Sequence, residues 1–335
     1  MTPVTGFGNS APTMINGKTV LADGTMVVHA PAKINLTLEV FGKRTDGYHA
    51  LRSLVVPVSL YDTLTLTPTD GAIEVFCTVA GLPGENLSLL PASGDNLAAR
   101  AAQILREETG IRRGVRIGIR KEIPIGGGMG GGSADAAAVL SGLNALWGLN
   151  LPVERLMALG ARLGSDIPAM VYGRAVCMEG RGEKVTPVSC CWPAGTAWWL
   201  VVVNPGFNVP TRDVYRRFRS GLTSTEETFI NARFALERGE LGLACTSLIN
   251  SLEAPVFIKY PLLAMLAGRL KSAGAAGVLL SGSGASVFAL AADQDQALLI
   301  ESHVRRDTGP WLWTRVAQIL PDGVMVAHGP LEARV

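Results

Sequence analysis

One stretch constrains this chain more than any other. In Pro124-Ile125-Gly126-Gly127-Gly128-Met129-Gly130-Gly131-Gly132-Ser133, six glycines fill seven consecutive positions. Without Cβ atoms, another group can come close to the backbone. Immediately afterwards Ala136, Val139, Leu140, Leu143 and Leu146 recur at helical spacing. Ser133 stands where an N-cap is expected and Gly148 where a stop is expected. A helix start carries free N–H groups and the positive end of the dipole. Loop and helix together predict an anion site, with phosphate as the natural occupant. A flexible Gly/Ser linker would not end on a cap and an apolar helix.

The loop is not of the Walker type, because Ser133 is followed by Ala134 and no lysine precedes it. Gly126, Gly128 and Gly131 match G-x-G-x-x-G. A dinucleotide site would need a strand directly before them. Here Lys121-Glu122-Ile123-Pro124 separates the loop from the strand Val115–Arg120, and Pro124 favours a loop.

At 335 residues the chain is long enough for two domains, and 48% hydrophobic residues supply substantial cores. Charged residues are 17% and the net charge is +2, which gives no sign of a nucleic-acid partner or an acidic tail. Cys77, Cys177, Cys190, Cys191 and Cys245 fit neither zinc spacing nor a disulfide framework. Reduced thiols and a cytoplasmic location are the simplest expectation. Ala197–Val203 is too short to cross a membrane, and uncharged Ser272–Ala292, with its glycines and serines, reads as strand, turn, strand. Residues 1–25 carry only Lys18 and Asp23, lack arginine and precede no long apolar run. They are expected to form a disordered tail. A monomer or weak homodimer without a membrane partner is expected.

Lys33–Phe41 alternates, with Ile34, Leu36, Leu38 and Val40 on one face. Leu51–Leu60, Thr63–Thr67 and Ala72–Val79 read as further strands. A helix over 96–109, capped by Asp95 and stopped by Gly110, comes before the Val115 strand. Beyond the glycine loop and its helix come helices over 152–163 and from Ile167, then a strand over 174–179. Gly, Pro and small residues over 181–195 mark a break. The second half opens with a buried strand over 198–203 and continues with helices over 211–219, 226–238 and 261–273. Strands over 277–281 and 285–291, joined by a tight turn, lead to a last helix and a strand over 311–318. Strand and helix do not alternate steadily, so the class is α+β. Domains over 26–185 and 186–335 are expected.

Three further segments carry chemistry. Pro31-Ala32-Lys33-Ile34-Asn35-Leu36 puts Lys33 and Asn35 on the face opposite Ile34 and Leu36; spacing alone also fits a half-exposed strand with a polar side. Asp166, in Gly164-Ser165-Asp166-Ile167-Pro168, suits an N-cap with Pro168 in the first turn. Leu280-Ser281-Gly282-Ser283-Gly284-Ala285-Ser286 is a hairpin turn whose N–H groups can approach an oxyanion.

In this order, the Pro-Ala-Lys-Ile-Asn strand, the glycine loop ending on Ser133 and the Gly-Ser-Gly-Ala turn resemble the GHMP kinase superfamily over nearly all the chain beyond the tail. Thr45-Asp46-Gly47-Tyr48-His49, with Gly164–Pro168, resembles the branch that phosphorylates the C2 hydroxyl of 4-diphosphocytidyl-2-C-methyl-D-erythritol. The resemblance implies a two-domain fold with the active site in the cleft between domains, ATP and Mg²⁺ as cofactors, and a small-molecule partner bearing cytidine diphosphate. It makes Asp166 the base and Lys33 its neighbour. It gives the nucleotide to Pro124, Gly126, Gly127, Gly128, Gly130, Gly131, Gly132 and Ser133, with Lys121 and Asn96 near the base. Ser133 is also the implied link to Mg²⁺. Asp135 assists the metal through water or complements the helix dipole, the second being the preferred reading. The substrate falls to Asn35, Tyr48, His49, Tyr215, Gly282, Ser283 and Gly284, with Tyr215 either stacked on cytosine or packed in the core. The alternatives are another small-molecule kinase of the superfamily, or a non-catalytic nucleotide-binding protein of the same fold.

Overall fold

The computed structural model describes residues 13–15, 18–45, 47–82, 95–218 and 226–323. The first half runs β1 (Thr13–Ile15), β2 (Lys18–Val20), β3 (Met26–Lys43), β4 (His49–Thr69), β5 (Ile73–Val79), α1 (Leu97–Thr109), β6 (Gly114–Lys121) and α2 (Gly131–Leu146). It continues with α3 (Val153–Ala161), α4 (Ile167–Tyr172), β7 (Val176–Gly180) and β8 (Lys184–Pro187). The second half holds β9 (Trp199–Asn204), α5 (Thr211–Arg217), α6 (Glu226–Arg238), α7 (Leu241–Thr246), β10 (Ile249–Asn250) and α8 (Glu253–Lys259). α9 (Pro261–Ser272), β11 (Gly277–Leu280), β12 (Val287–Ala291), α10 (Gln294–Thr308) and β13 (Trp313–Gln318) complete it.

Among the described residues, one sheet runs β1-β2-β3-β4-β6-β5, with the β7–β8 hairpin added to β4 and β10 added in parallel to β3. The other runs β11-β12-β9-β13. Strand alternation divides the apolar residues between layers. In β9, Leu200 and Val202 enter a central core, while Val201 and Val203 pack with Leu263, Leu266 and Ile300 of α9 and α10. The central core joins the sheets through Ile34, Leu54, Val56, Phe288 and Trp313, with α6 supplying Phe229 and Leu236. A third core lies between the first sheet and α1–α4. Along β3, the even-numbered residues feed all three cores in turn: Met26 to Ala30 the helical one, Ala32 to Leu36 the central one, Leu38 and Val40 that of the second sheet. The β3–β4 register breaks at Pro31/Lys33 and Asn35/Thr37, near these changes of core.

Several expectations change. Residues 13–15 and 18–20 of the expected disordered tail are strands, because they extend the edge of β3; residues 1–12 and 16–17 lie outside the described residues. The strands expected over 51–60 and 63–67 are one strand, β4, because Asp62 between them is bonded rather than turned out. The α1 cap is Asn96, whose Oδ1 accepts from the Ala98 N–H at 2.9 Å, and not Asp95. The α2 N-cap is Gly130, so Ser133 lies inside the first turn. The boundary expected at 185/186 falls inside β8, whose pairing to β7 keeps it with the first sheet. All five cysteines are free. Among the described residues, no helix is long and apolar enough to cross a membrane.

Candidate active site

A cavity of about 600 Å³ opens where the glycine loop, the centre of β3, the start of α4 and the β11–β12 turn meet. The loop is fixed from both halves of the chain. The Lys33 N–H donates to the Met129 carbonyl (3.0 Å), and the Ser286 N–H donates to the Gly127 carbonyl (3.0 Å). The Ser281 hydroxyl donates to the Gly128 carbonyl at 3.1 Å. Asn204 Nδ2 donates to Ser286 Oγ at 3.0 Å. Two glycines are required by space and by backbone. Gly128 has φ +77°, and a Cβ there would collide with the Ser281 carbonyl. Gly130 has φ +71°, and its Cβ would lie 2.6 Å from Met170 Cε and 3.2 Å from Lys33 Cγ. The loop is glycine-rich partly so that protein can pack against it. The first intrahelical bond is Ala134 N–H to the Gly130 carbonyl, 2.8 Å, so the N–H groups of Gly131, Gly132 and Ser133 precede the helical ladder beside the cavity.

Lys33 and Asp166 meet here. Lys33 Nζ is 3.5 Å from Asp166 Oδ2; the lysine side chain is buried and the aspartate 38% exposed. Asp166 occupies the N-cap position of α4, with Pro168 in the first turn, but its side chain makes no cap bond. Its carboxylate is therefore available to the cavity. Lys33 Nζ donates to Asn35 Oδ1 at 2.7 Å, Asn35 Nδ2 to Ser53 Oγ at 2.8 Å, and Ser53 Oγ to the Thr37 carbonyl at 2.5 Å. This chain of donors orients Asn35 toward Lys33. The polar face of β3 is buried, not half-exposed.

The cavity wall includes Asn96, Lys121, Pro124, Gly126, Gly127, Gly128, Gly130, Gly131, Gly132, Ser133, Tyr215, Gly282 and Ser283 among the expected residues. Lys121 lines the cavity while its ammonium is held inside the protein by Asp62 and by Asp135 at 2.6 Å. Asp135 accordingly binds Lys121 and does not stand as a free partner of the helix dipole. Burial, then the Asp62 charge, push the Asp135 carboxyl up to about 7 against the pull of Lys121. Gly284 stands behind the wall, near Leu280 and Leu263 side chains. Tyr48 and His49 are outside it. Tyr48 is exposed under the Arg181 guanidinium, 5.1 Å from its ring centre. The His49 ring lies 5.5 Å from Tyr215 and 6.1 Å from Phe218. Tyr215 is half-buried; it packs against the core of the second sheet and also borders the cavity. Burial, then the Asp166 charge, push its hydroxyl pKa up. Asp46 lies outside the described residues.

Sequence reasoning missed Asp62, Ser53, Thr211 and Asn250. Thr211 Oγ1 and Ser283 Oγ share a 2.8 Å hydrogen bond at the cavity edge. Asn250 Nδ2 donates to the Leu280 and Gly282 carbonyls at 2.9 and 2.7 Å and holds the turn. Lone polar residues in apolar strands, Asp62 and Ser53 above all, were the available signal. Among the described residues, no cluster of three or more His, Cys, Asp or Glu could hold a metal ion.

A lysine–aspartate pair thus stands beside a glycine loop, between two sheets. The model for the GHMP kinases N terminal domain matches residues 96–174, and that for the GHMP kinases C terminal region matches residues 234–310. The chain belongs to the GHMP kinases. It is 39% identical to the 4-diphosphocytidyl-2-C-methyl-D-erythritol kinase of Geobacter metallireducens over 274 residues, 82% of this chain and 92% of that one. Identity to the protein of the same name from Syntrophotalea carbinolica is 42% over 269 residues, 80% and 90% of the two chains. A crystal structure of 4-(cytidine 5'-diphospho)-2C-methyl-D-erythritol kinase matches with a TM-score of 0.73 at 36% identity, covering 88% of this chain and 99% of that chain. A homoserine kinase from Cytophaga hutchinsonii, at TM-score 0.70 and 20% identity, covers 90% and 96% and shares the fold.

Proposed function

We propose that this protein transfers the γ-phosphoryl group of ATP to the C2 hydroxyl of 4-diphosphocytidyl-2-C-methyl-D-erythritol, in the non-mevalonate route to isoprenoid precursors. The observation that carries the reaction class is the Lys33–Asp166 pair facing the N-terminal end of α2 across one cavity. The choice of substrate rests on the relatives that bear this kinase's name. The cytoplasmic location is part of the same proposal and rests on the free thiols.

Phosphoryl transfer asks the protein for position and charge more than for covalent chemistry. The N–H groups of Gly131, Gly132 and Ser133 bind phosphate oxygens at the positive end of α2. Asp166 takes the proton of the C2 hydroxyl as that oxygen bonds to the γ-phosphorus and the bond to the β-phosphate oxygen breaks, giving ADP and the phosphorylated alcohol. Lys33, fixed by Asn35, balances the carboxylate and the charge on the moving group. Mg²⁺, when bound, neutralises phosphate charge. The Ser133 hydroxyl fits it, because this ion takes most of its ligands from phosphates and water. Tyr215 borders the cavity and His49 packs on it from outside, an aromatic pair suited to recognise a cytosine ring.

Asp166→Asn tests the reaction. Turnover is expected to fall by roughly 100- to 10,000-fold, with ATP affinity measured by titration calorimetry unchanged. Near-normal turnover would remove Asp166 from the role of base.

A further inference from the structure

Asp62, Lys121 and Asp135 form a buried charged set that the transfer step does not use. Lys121 Nζ donates to Asp62 Oδ2 and, at 2.6 Å, to Asp135 Oδ2; all three side chains are at most 7% exposed. The other oxygen of Asp62 accepts from the Glu122 N–H at 2.6 Å and the Ile123 N–H at 2.9 Å. Residues 121–123 lead into the glycine loop, and Asp135 lies in the helix that leaves it. Asp62 itself is anchored in the middle of β4. One carboxylate thus grips the incoming end of the loop directly and the outgoing end through Lys121.

The loop between these ends contains six glycines, the residue type that loses most backbone freedom on folding. Ordering it costs conformational entropy, and its glycines have no side chains with which to hold themselves. A buried ion set is weak evidence for overall stability, since desolvation offsets its attraction. This set carries two carboxylates for one ammonium, and Asp135 Oδ1 is left without a hydrogen-bond partner. Its geometry accounts for its presence better than its energy does. Beside Asp62 of β4 and Lys121 of β6, the titratable group facing it is the Cys77 thiol of β5, which burial and then the Asp135 charge push up.

We infer that Asp62, Lys121 and Asp135 are positioning residues: a clasp that holds the two ends of the loop at the separation a polyphosphate needs. The polyphosphate part rests on the ATP reading above; the clasp does not.

Amide hydrogen exchange on the full-length protein tests the clasp without any ligand. Asp62→Asn and Asp135→Asn keep side-chain volume and remove one carboxyl group each. Exchange over residues 125–134 is expected to quicken at least about tenfold in each variant, with Trp199–Asn204 of β9 unchanged. Unaltered loop exchange, or equal quickening in β9, would overturn the clasp. If Asp62→Asn fails to fold, Asp135→Asn decides alone. ATP titration and kinetics supply the second readout. A clasp raises the Kd and KM for ATP about tenfold or more and leaves kcat within about threefold at saturation, about 1.4 kcal/mol of binding. Lower kcat with unchanged KM is the result of a merely structural role and would contradict it. Failure of the wild-type protein to bind ATP would refute the ATP reading while the exchange result still decides the clasp.

Discussion

Replacing Asp135 by Asn should change how stability depends on pH. In the folded protein the Asp135 carboxyl is pushed from 3.8 up to about 7, first by burial and then by the Asp62 charge. The native state therefore holds a proton between those pH values that the unfolded chain has released. The favourable contribution is fully present below about 4 and is lost as pH rises toward 7, because ionising the buried group costs free energy. At 1.36 kcal/mol per pH unit, the full interval is worth about 4 kcal/mol, an upper value for so enclosed a group. Asparagine cannot ionise, so Asp135→Asn removes this slope. Urea unfolding followed by circular dichroism, from pH 4.5 to 8, gives the difference between the variant and the wild type at each pH. Contributions of groups that do not interact with Asp135 cancel in that difference. The variant should gain on the wild type as pH rises, by up to about 4 kcal/mol, and the gain should level off above about pH 7 to 8. A difference independent of pH, or one that favours the wild type increasingly at high pH, would refute the reasoning.

Two other substitutions address the loop and the aromatic end. Gly128→Ala introduces a side chain at φ +77° and against the Ser281 carbonyl, so thermal unfolding should show a loss of about 1–3 kcal/mol; kinetics should show a raised KM for ATP. His49→Ala removes the ring packed on Tyr215, worth about 0.5–1.5 kcal/mol, and should raise KM for the cytidyl substrate severalfold while the KM for ATP stays the same.

Much of the site was legible because its parts are local. The glycine loop, its helix and the Lys33–Asn35 alternation are each readable within ten or so residues. That Lys33 and Asp166 meet was not: they are far apart in sequence, and only the resemblance joined them. Alternation in β3 showed a polar face, but a buried polar face lining a cavity and an exposed one have the same period. Asp62 looked like a break between strands. Its three bonds reach residues 59 to 61 positions away, which no local pattern encodes. Ser133 had the composition of a cap, but the helix starts earlier because Gly130 takes up the left-handed conformation at its entrance. Short elements such as β8 and β10 exist only because a neighbouring strand pairs with them, and a window of two to four residues carries no signal of that.

The central claim is the reaction and its substrate. ADP release should be measured with Mg·ATP and 4-diphosphocytidyl-2-C-methyl-D-erythritol, with galactose, homoserine and mevalonate in parallel. Turnover with the cytidyl substrate alone is the predicted result. Turnover with one of the other alcohols would contradict the substrate assignment, and no ADP release in any well would contradict the assignment of a kinase.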